Sequence, residues 1–323
     1  YSSAASDVYK RQDKCGKEGT SCKRNFQSEL LKGAKAGNYE DAKAMMKYIM
    51  AAESRRLYDR MSGDKLSEKQ KEQMKSLMSD NMKDTELMTA LWILSSILKE
   101  YYGKKVIILI DEYDVPLDKA FENNYYNEMI ILLRNMLKQS LKTNDNLYMA
   151  VLTGCLRIAR ESIFTGLNNF NIFSITDQYF DEYFGFTDKE VKEILQYYKV
   201  PEAFEQTKKW YDGYRFGNTD IYCPWDVINH CRALKVEPDA TPQPYWINTS
   251  GNYIVKRFIE RANQQTRREI EQLIEGKAIQ KEIRLELTYN ELDSTIENLW
   301  SVLFATGYLT QQGKPLKRFL QSI

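Results

Sequence analysis

Apolar residues along this chain follow two different periods, and the change between them falls near residue 103. From about residue 26 to 102 the pattern is helical. Ala42, Met45, Met46, Ile49 and Met50 stand at i, i+3, i+4, i+7 and i+8, one face of an amphipathic helix, suited to core packing rather than to a binding surface. Ser67-Glu-Lys-Gln70 is a capping box that opens a second helix, whose mixed charges over Lys69–Lys83 read as a solvated face. Thr85–Tyr102 predicts a third, with Leu87, Leu91, Leu94 and Leu98 on one side and Gly103 as its stop. Val106–Ile110 then breaks the period. Five apolar residues, four of them β-branched, are too few for a helix and suit a buried parallel strand. Tyr125–Leu141 returns to helical spacing through Met129, Leu132, Leu133, Met136 and Leu137. Asn144–Asn146 turns, and Leu147–Leu152 predicts a second buried strand that ends in Thr153-Gly154. Strand, helix and parallel strand about 40 residues apart make the crossover of an α/β sheet.

The second half reads differently. Asp188–Tyr198, with Thr187 as N-cap, and Pro201–Tyr211 predict helices. Tyr214–Phe216 and Ile221–Cys223 flank a Gly-Asn turn, which predicts a hairpin. Pro224 suits the first position of a helix over Trp225–Ala233. Pro238, Pro242 and Pro244 mark a loop. Thr249 or Ser250 caps a helix to Ala262, and Thr266–Glu275 continues the helical run. Ile283–Leu287 alternates like an exposed strand, Asn298–Thr306 is a last helix, and Gly307–Thr310 starts another strand. This half resembles a mostly helical lid followed by a winged-helix-like region. Its aromatics (Trp210, Tyr211, Tyr214, Phe216, Tyr222 and Trp225) fit an interdomain core or a stacking platform for single-stranded nucleic acid.

Composition narrows the class. A length of 323 residues allows about two domains at ~100–200 residues each, and 43% hydrophobic content beside 28% charge describes a chain able to build a core. A net charge of +1 leaves no global electrostatic footprint for nucleic acid. No apolar run approaches the ~18 residues that would span a bilayer, and there is no secretory h-region. Five cysteines (Cys15, Cys22, Cys155, Cys223 and Cys231) have no metal-site spacing and suit reduced thiols, so a cytoplasmic location is expected. The one histidine, His230, has no Gly-x-Ser-x-Gly elbow to serve and reads as a helix-surface residue. Residues 1–12 have neither apolar period nor caps and read as a non-native scar, leaving an α/β core over 13–186 and the helical lid and winged-helix-like region over 187–323.

Candidate chemistry sits at the strand ends. Asp111 and Glu112 follow the first strand where an α/β sheet collects ligands. They fit either a Mg²⁺ ligand with a water-activating base, as in nucleoside triphosphatases, or a solvated acidic turn. Thr153 ends the neighbouring strand, where a polar residue senses the γ-phosphate; its alternative is a hydroxyl capping the next turn. Arg215, in Gly213-Tyr-Arg-Phe216, could reach a phosphate or pair with Asp212.

An ordered set of motifs then gives a resemblance. GKKVIILIDEYDVPLDKA (103–120), LTGCLRIARESIFTGLNNF (152–170), DEYFGFTDKEV (181–191), WYDGYRFG (210–217), YCPWDVINHC (222–231), YWINTSGN (245–252) and NLWSVLFATGYLT (298–310) together resemble the bacterial AAA-ATPase-like family. Its members are predicted P-loop ATPases, often with a restriction-endonuclease-like domain at the C-terminus. The resemblance implies a P-loop NTPase-type parallel sheet that uses ATP and Mg²⁺. It implies metal binding by Asp111, water activation by Glu112, a sensor strand ending in Thr153, and Arg157 in an arginine-bearing turn. No Gly-x-x-x-x-Gly-Lys-Ser/Thr occurs, and Gly16–Gly19 and Gly33–Gly37 lack its spacing. The resemblance places the family's phosphate loop upstream and its nuclease-like domain downstream. The chain therefore reads as a fragment, and nucleic acid would be reached only through a domain outside it. With the central strand missing, strands 106–110 and 147–152 are expected to have an uncovered edge that favours self-association. Two functions follow: an ATP hydrolase when complete, or a non-catalytic nucleotide-gated switch or scaffold for a partner or an attached nuclease.

Overall fold

A computed structural model describes residues 25–28, 36–61, 63–154, 163–164, 167, 170–245, 256, 259–285, 287, 291 and 294–312. The expectations for residues 1–12, Cys15, Cys22, Cys155, Arg157 and the cap at Thr249 or Ser250 lie outside these. Chain contacts divide the protein into one unit within 18–171, joined by 286–290, and another built mainly from 172–285 and 291–323.

The first unit is α/β. Its elements are β1 (Asn25–Ser28), α1 (Tyr39–Tyr58), α2 (Glu68–Leu77), α3 (Asp84–Tyr102), β2 (Val106–Ile110), α4 (Val115–Glu122), α5 (Tyr126–Leu141) and β3 (Leu147–Leu152). The three strands are parallel in the order β1-β2-β3. Local chemistry sets the helix ends. Asn38 accepts the Asp41 N–H at 2.9 Å to start α1, and Ser67 and Gln70 form the reciprocal capping box of α2. Gly103, at φ +65°, ends α3 in the left-handed region that a bare Cα enters at little cost. Leu87, Leu91, Leu94 and Leu98 of α3 are all buried, as are Met129, Leu132, Leu133, Met136 and Leu137 of α5, and the two helices pack on each other. Burying one such side chain contributes about 1.5–3 kcal/mol.

Five expectations change here. β1 breaks the run read as helical from residue 26, because a four-residue strand without an apolar run gives no periodic signal. Helix α4 was not expected; eight residues carry too little period to register. Met45 is exposed, so the α1 face narrows to Ala42, Met46 and Met50. Finally, β2 is not an edge: β1 and β3 pair with it on either side. The edges of the described sheet are β1 and β3, and β3 is not the buried strand its composition suggests. Tyr148, Met149 and Val151 are exposed. Met149 and Val151 sit opposite Ile107 and Leu109, on the sheet face away from the buried Val106, Ile108 and Ile110.

The second unit contains α6 (Asp188–Tyr198), a 3₁₀ turn (Pro201–Ala203), α7 (Phe204–Tyr211), the antiparallel hairpin β4 (Asp212–Phe216) and β5 (Thr219–Tyr222), α8 (Pro224–Val236), α9 (Gln264–Ile274) and α10 (Asn298–Ala305). Thr187 and Glu190 form the capping box of α6, and Gly217 turns the hairpin at φ +50°. Val191, Leu195, Tyr211, Tyr222, Val227 and Cys231 make its core. Of the aromatic cluster, Tyr211 and Tyr222 serve that core, inside the unit rather than between domains, while Trp210 and Trp225 stay exposed.

His230 overturns its surface reading: it is fully buried on α8. It shares a stripe with Val227, Cys231 and Leu234, a helical spacing the sequence already carried. Two expected strands are also not formed. Described residues 281–285 run irregularly, with the Arg284 N–H donating to Ser301 Oγ at 2.8 Å. Residues 307–310 fold back on α10, where the Tyr308 N–H reaches the Leu303 carbonyl at 2.8 Å.

Candidate functional site

The site forms where β2 and β3 leave the sheet. Parallel pairing of Ile110 with Leu152 puts the next residues of both strands side by side. The Thr153 N–H donates to the Ile110 carbonyl and the Tyr113 N–H to the Thr153 carbonyl, each at 2.9 Å, so the ladder runs one step beyond the strands. The Thr153 hydroxyl donates to Asp111 Oδ1 and accepts the Glu112 N–H at 3.4 Å. Asp111, Glu112 and Thr153 are therefore together, each half-buried. The Thr153 hydroxyl ties the acidic turn to β3.

Glu112 sits at φ +54°. A non-glycine residue in the left-handed region costs roughly 1–2 kcal/mol and persists only where its surroundings fix it. Here the fixing contacts are the Thr153 hydroxyl below its N–H and the Val115 N–H, which donates to the Glu112 carbonyl at 3.2 Å.

Sequence reading passed over three neighbours. Asp114 is 97% buried and stands at the N-terminus of α4, where its carbonyl accepts from Leu117 and Asp118. Tyr113 is buried and meets the Phe164 ring edge-on at 5.4 Å. Gly154 makes both fit: a Cβ on it would lie 2.7 Å from Tyr113 Cε1 and 2.8 Å from Asp114 Oδ1. The signal was present, a third carboxylate three residues after the first and a glycine directly after Thr153.

The donors are hard oxygens. Among the described residues no group of three or more His, Cys, Asp or Glu could hold a metal ion alone. Mg²⁺ does not require one, since it takes one or two carboxylates beside phosphate and water oxygens. Asp111 and Glu112 fit that use.

Arg215, the other candidate, belongs to the second unit. Its guanidinium pairs with Asp220 at 2.5 Å and reaches the Asn218 carbonyl at 3.1 Å. The expected pairing with Asp212 is replaced, because the strand pairing sets Arg215 opposite Asp220, while Asp212 faces Lys208 at 3.5 Å. Burial pushes the thiols of Cys223 and Cys231 up to about 11, so neither is a thiolate at neutral pH. No helix among the described residues is long and apolar enough to cross a membrane.

Comparison with known proteins bears on the stretch around these residues. Residues 22–164 match the AAA-ATPase-like family, described as "Predicted AAA-ATPase". The stretch contains β1 through β3 and every residue of the site; the motifs between 165 and 310 lie beyond it. An "Uncharacterized protein in vnfD 5'region" of Azotobacter chroococcum mcd 1 is 27% identical over 165 residues, which are 49% of this chain and 30% of that protein. The chain thus matches under a third of that relative's length. No solved structure matches.

Proposed function

We propose that the turn after β2 and the end of β3 form the metal and water-activating side of an ATP-hydrolysing site. The observation that carries this reading is the pairing of Asp111 and Glu112 with Thr153 at the carboxyl edge of a parallel sheet, inside the stretch that matches predicted AAA-ATPases. Bound Mg²⁺ would neutralise charge developing on the phosphate oxygens. Asp111 offers a carboxylate oxygen to the ion, oriented by the hydroxyl of Thr153. Glu112 takes the proton of the attacking water, and its left-handed backbone aims the residue out of the strand direction. Thr153 takes the role of γ-phosphate sensor in this reading, and Arg157, which lies outside the described residues, keeps the role that the family resemblance implies. Arg215 would reach a nucleotide only by leaving Asp220.

The 323 residues hold no Gly-x-x-x-x-Gly-Lys-Ser/Thr. Turnover is therefore expected only from a polypeptide that also carries a phosphate-cradling loop. That same feature favours a second reading, a nucleotide-gated switch or scaffold that does not hydrolyse.

Phosphate release from a polypeptide that also carries such a loop separates the two. Glu112→Gln is expected to keep ATP binding and to lower turnover by roughly 10²-fold, the usual contribution of a general base, whereas Asp111→Ala weakens Mg·ATP binding. Unchanged turnover in Glu112→Gln rejects the base assignment, and nucleotide binding without turnover in the parent protein supports the switch.

A further inference from the structure

Residues 173–184 hold five large aromatic rings at the surface of the second unit. Phe173, Tyr179, Phe180, Tyr183 and Phe184 are each 45–72% exposed. Four of them are ring neighbours: Phe173 lies 5.6 Å from Tyr179 and 5.1 Å from Phe180, and Phe180 lies 5.9 Å from Tyr183, centroid to centroid. Scattered exposed aromatics need no explanation, but a contiguous patch marks a surface that meets something. Aromatic rings are the commonest anchors of such surfaces.

The segment is built to hold these rings still. The N–H and hydroxyl of Ser174 donate to the Asp177 carboxylate at 2.6 and 2.9 Å. The hairpin turn grips it from the other side, with the Gly217 N–H on the Ile175 carbonyl at 2.9 Å and the Asn218 N–H on Asp181 Oδ2 at 3.0 Å. Phe180 is held at φ +67°, where a bulky side chain is an outlier and needs surroundings that fix it. A pre-ordered patch loses little freedom on binding.

Charge selects the occupant. Between Asn171 and Asp188 the chain carries Asp177, Asp181, Glu182 and Asp188 and no lysine or arginine. Phosphate backbones and anionic lipid surfaces are repelled by such a segment. Guanidinium and ammonium groups are drawn both to the ring faces and to the carboxylates. We propose that residues 173–184 dock a protein segment in which arginine or lysine alternates with apolar residues. This inference is independent of the nucleotide reading.

The test is calorimetric titration of the full chain with a peptide of four Arg-Leu-Ser repeats. Its Glu-Leu-Ser counterpart and an oligothymidine of equal length are the controls. Saturable binding of the arginine peptide is expected, weaker at high salt. It should fall by at least roughly 10-fold in Tyr179→Ser/Phe180→Asn, as for loss of interface anchors, and by less in Glu182→Gln. Both mutated rings are solvent-exposed, and circular dichroism checks that the double variant folds. The proposal is overturned if no peptide binds, if the double variant binds as tightly as the parent, or if the acidic peptide or the oligothymidine binds as well. Concentration-dependent dimerisation that the double variant abolishes, without peptide binding, overturns it as well and gives the surface to a second copy.

Discussion

In the first unit the polar residues gather at one end of a sheet, where Asp111, Glu112, Asp114 and Thr153 meet within one turn and one strand end. In the second unit they are dispersed as fasteners. Asp188 accepts from the buried Tyr222 hydroxyl at 2.5 Å and from Lys208 at 2.9 Å, Asp220 holds Arg215, and Asp181 holds the hairpin turn. Both units are rich in charge and aromatics, so composition does not separate them. The distinction is whether the polar contacts close on each other inside the fold or converge on an open sheet end. That criterion is what supports the small-ligand site proposed for the first unit and the docking surface proposed for the second.

The hardest blow to the first unit should come from its helix layer rather than its sheet edge. Leu133→Ala, at a fully buried position, is expected to cost about 2–5 kcal/mol in urea unfolding. Met149→Lys on the exposed face of β3 should stay within about 0.5 kcal/mol. The lysine should also lower any self-association seen by light scattering, since charge on an open edge strand discourages pairing between chains. Equal costs for the two changes would mean that the β3 face is covered in solution.

This contrast also marks how far the sequence could be read. β2 and β3 are both short apolar runs, and both were legible as parallel strands. β2 is buried at Val106, Ile108 and Ile110 as read, whereas β3 is not, because burial depends on the position of a strand in the sheet, and composition does not encode that position. The caps at Ser67, Thr187 and Gly103 were legible because each is decided by contacts within a few residues. The ion pair of Arg215 was not legible, for the opposite reason. Its partner depends on hairpin register, which sets Arg215 opposite Asp220. Of the site, the two acids and Thr153 could be read from strand ends, whereas Gly154 gains meaning only once Tyr113 and Asp114 are seen packed beside it.

Gly154→Ala sharpens the claim that the first unit's polar end is tightly fitted. The added methyl would meet a buried ring and a buried carboxylate, and overpacking of this kind costs about 1–3 kcal/mol. Thermal unfolding should show the loss. Gly213→Ala is the matched control, since nothing lies within 4 Å of a Cβ there.

His230 offers the corresponding probe of the second unit. Burial lowers its pKa from the ordinary 6.5, and its two ring nitrogens have no hydrogen-bond partner among the described residues. Tyr211 faces it, with ring centroids 5.4 Å apart. Below about pH 6.5 the unfolded chain takes up a proton that the folded chain refuses. Stability should therefore fall as pH drops, by at most about 1.4 kcal/mol per pH unit. Above that pH the group contributes no slope. Denaturant midpoints between pH 7 and 5 should show a shallower decline in His230→Phe, and parallel curves would mean that the imidazole is charged or solvated in the native state.

The smallest effect expected is also the most specific to the first unit's site. Glu112 is held at φ +54° beside Asp111, and asparagine enters that region more readily than glutamate. Glu112→Asn should stabilise the fold by up to about 1 kcal/mol while removing the proposed base. A gain in melting temperature, with loss of turnover in a polypeptide that also carries a phosphate-cradling loop, would show that the backbone strain is kept for the side chain's position. A loss of stability would mean that the Glu112 carboxylate makes a contact worth more than the strain, and the acidic turn would then belong with the fasteners of the second unit.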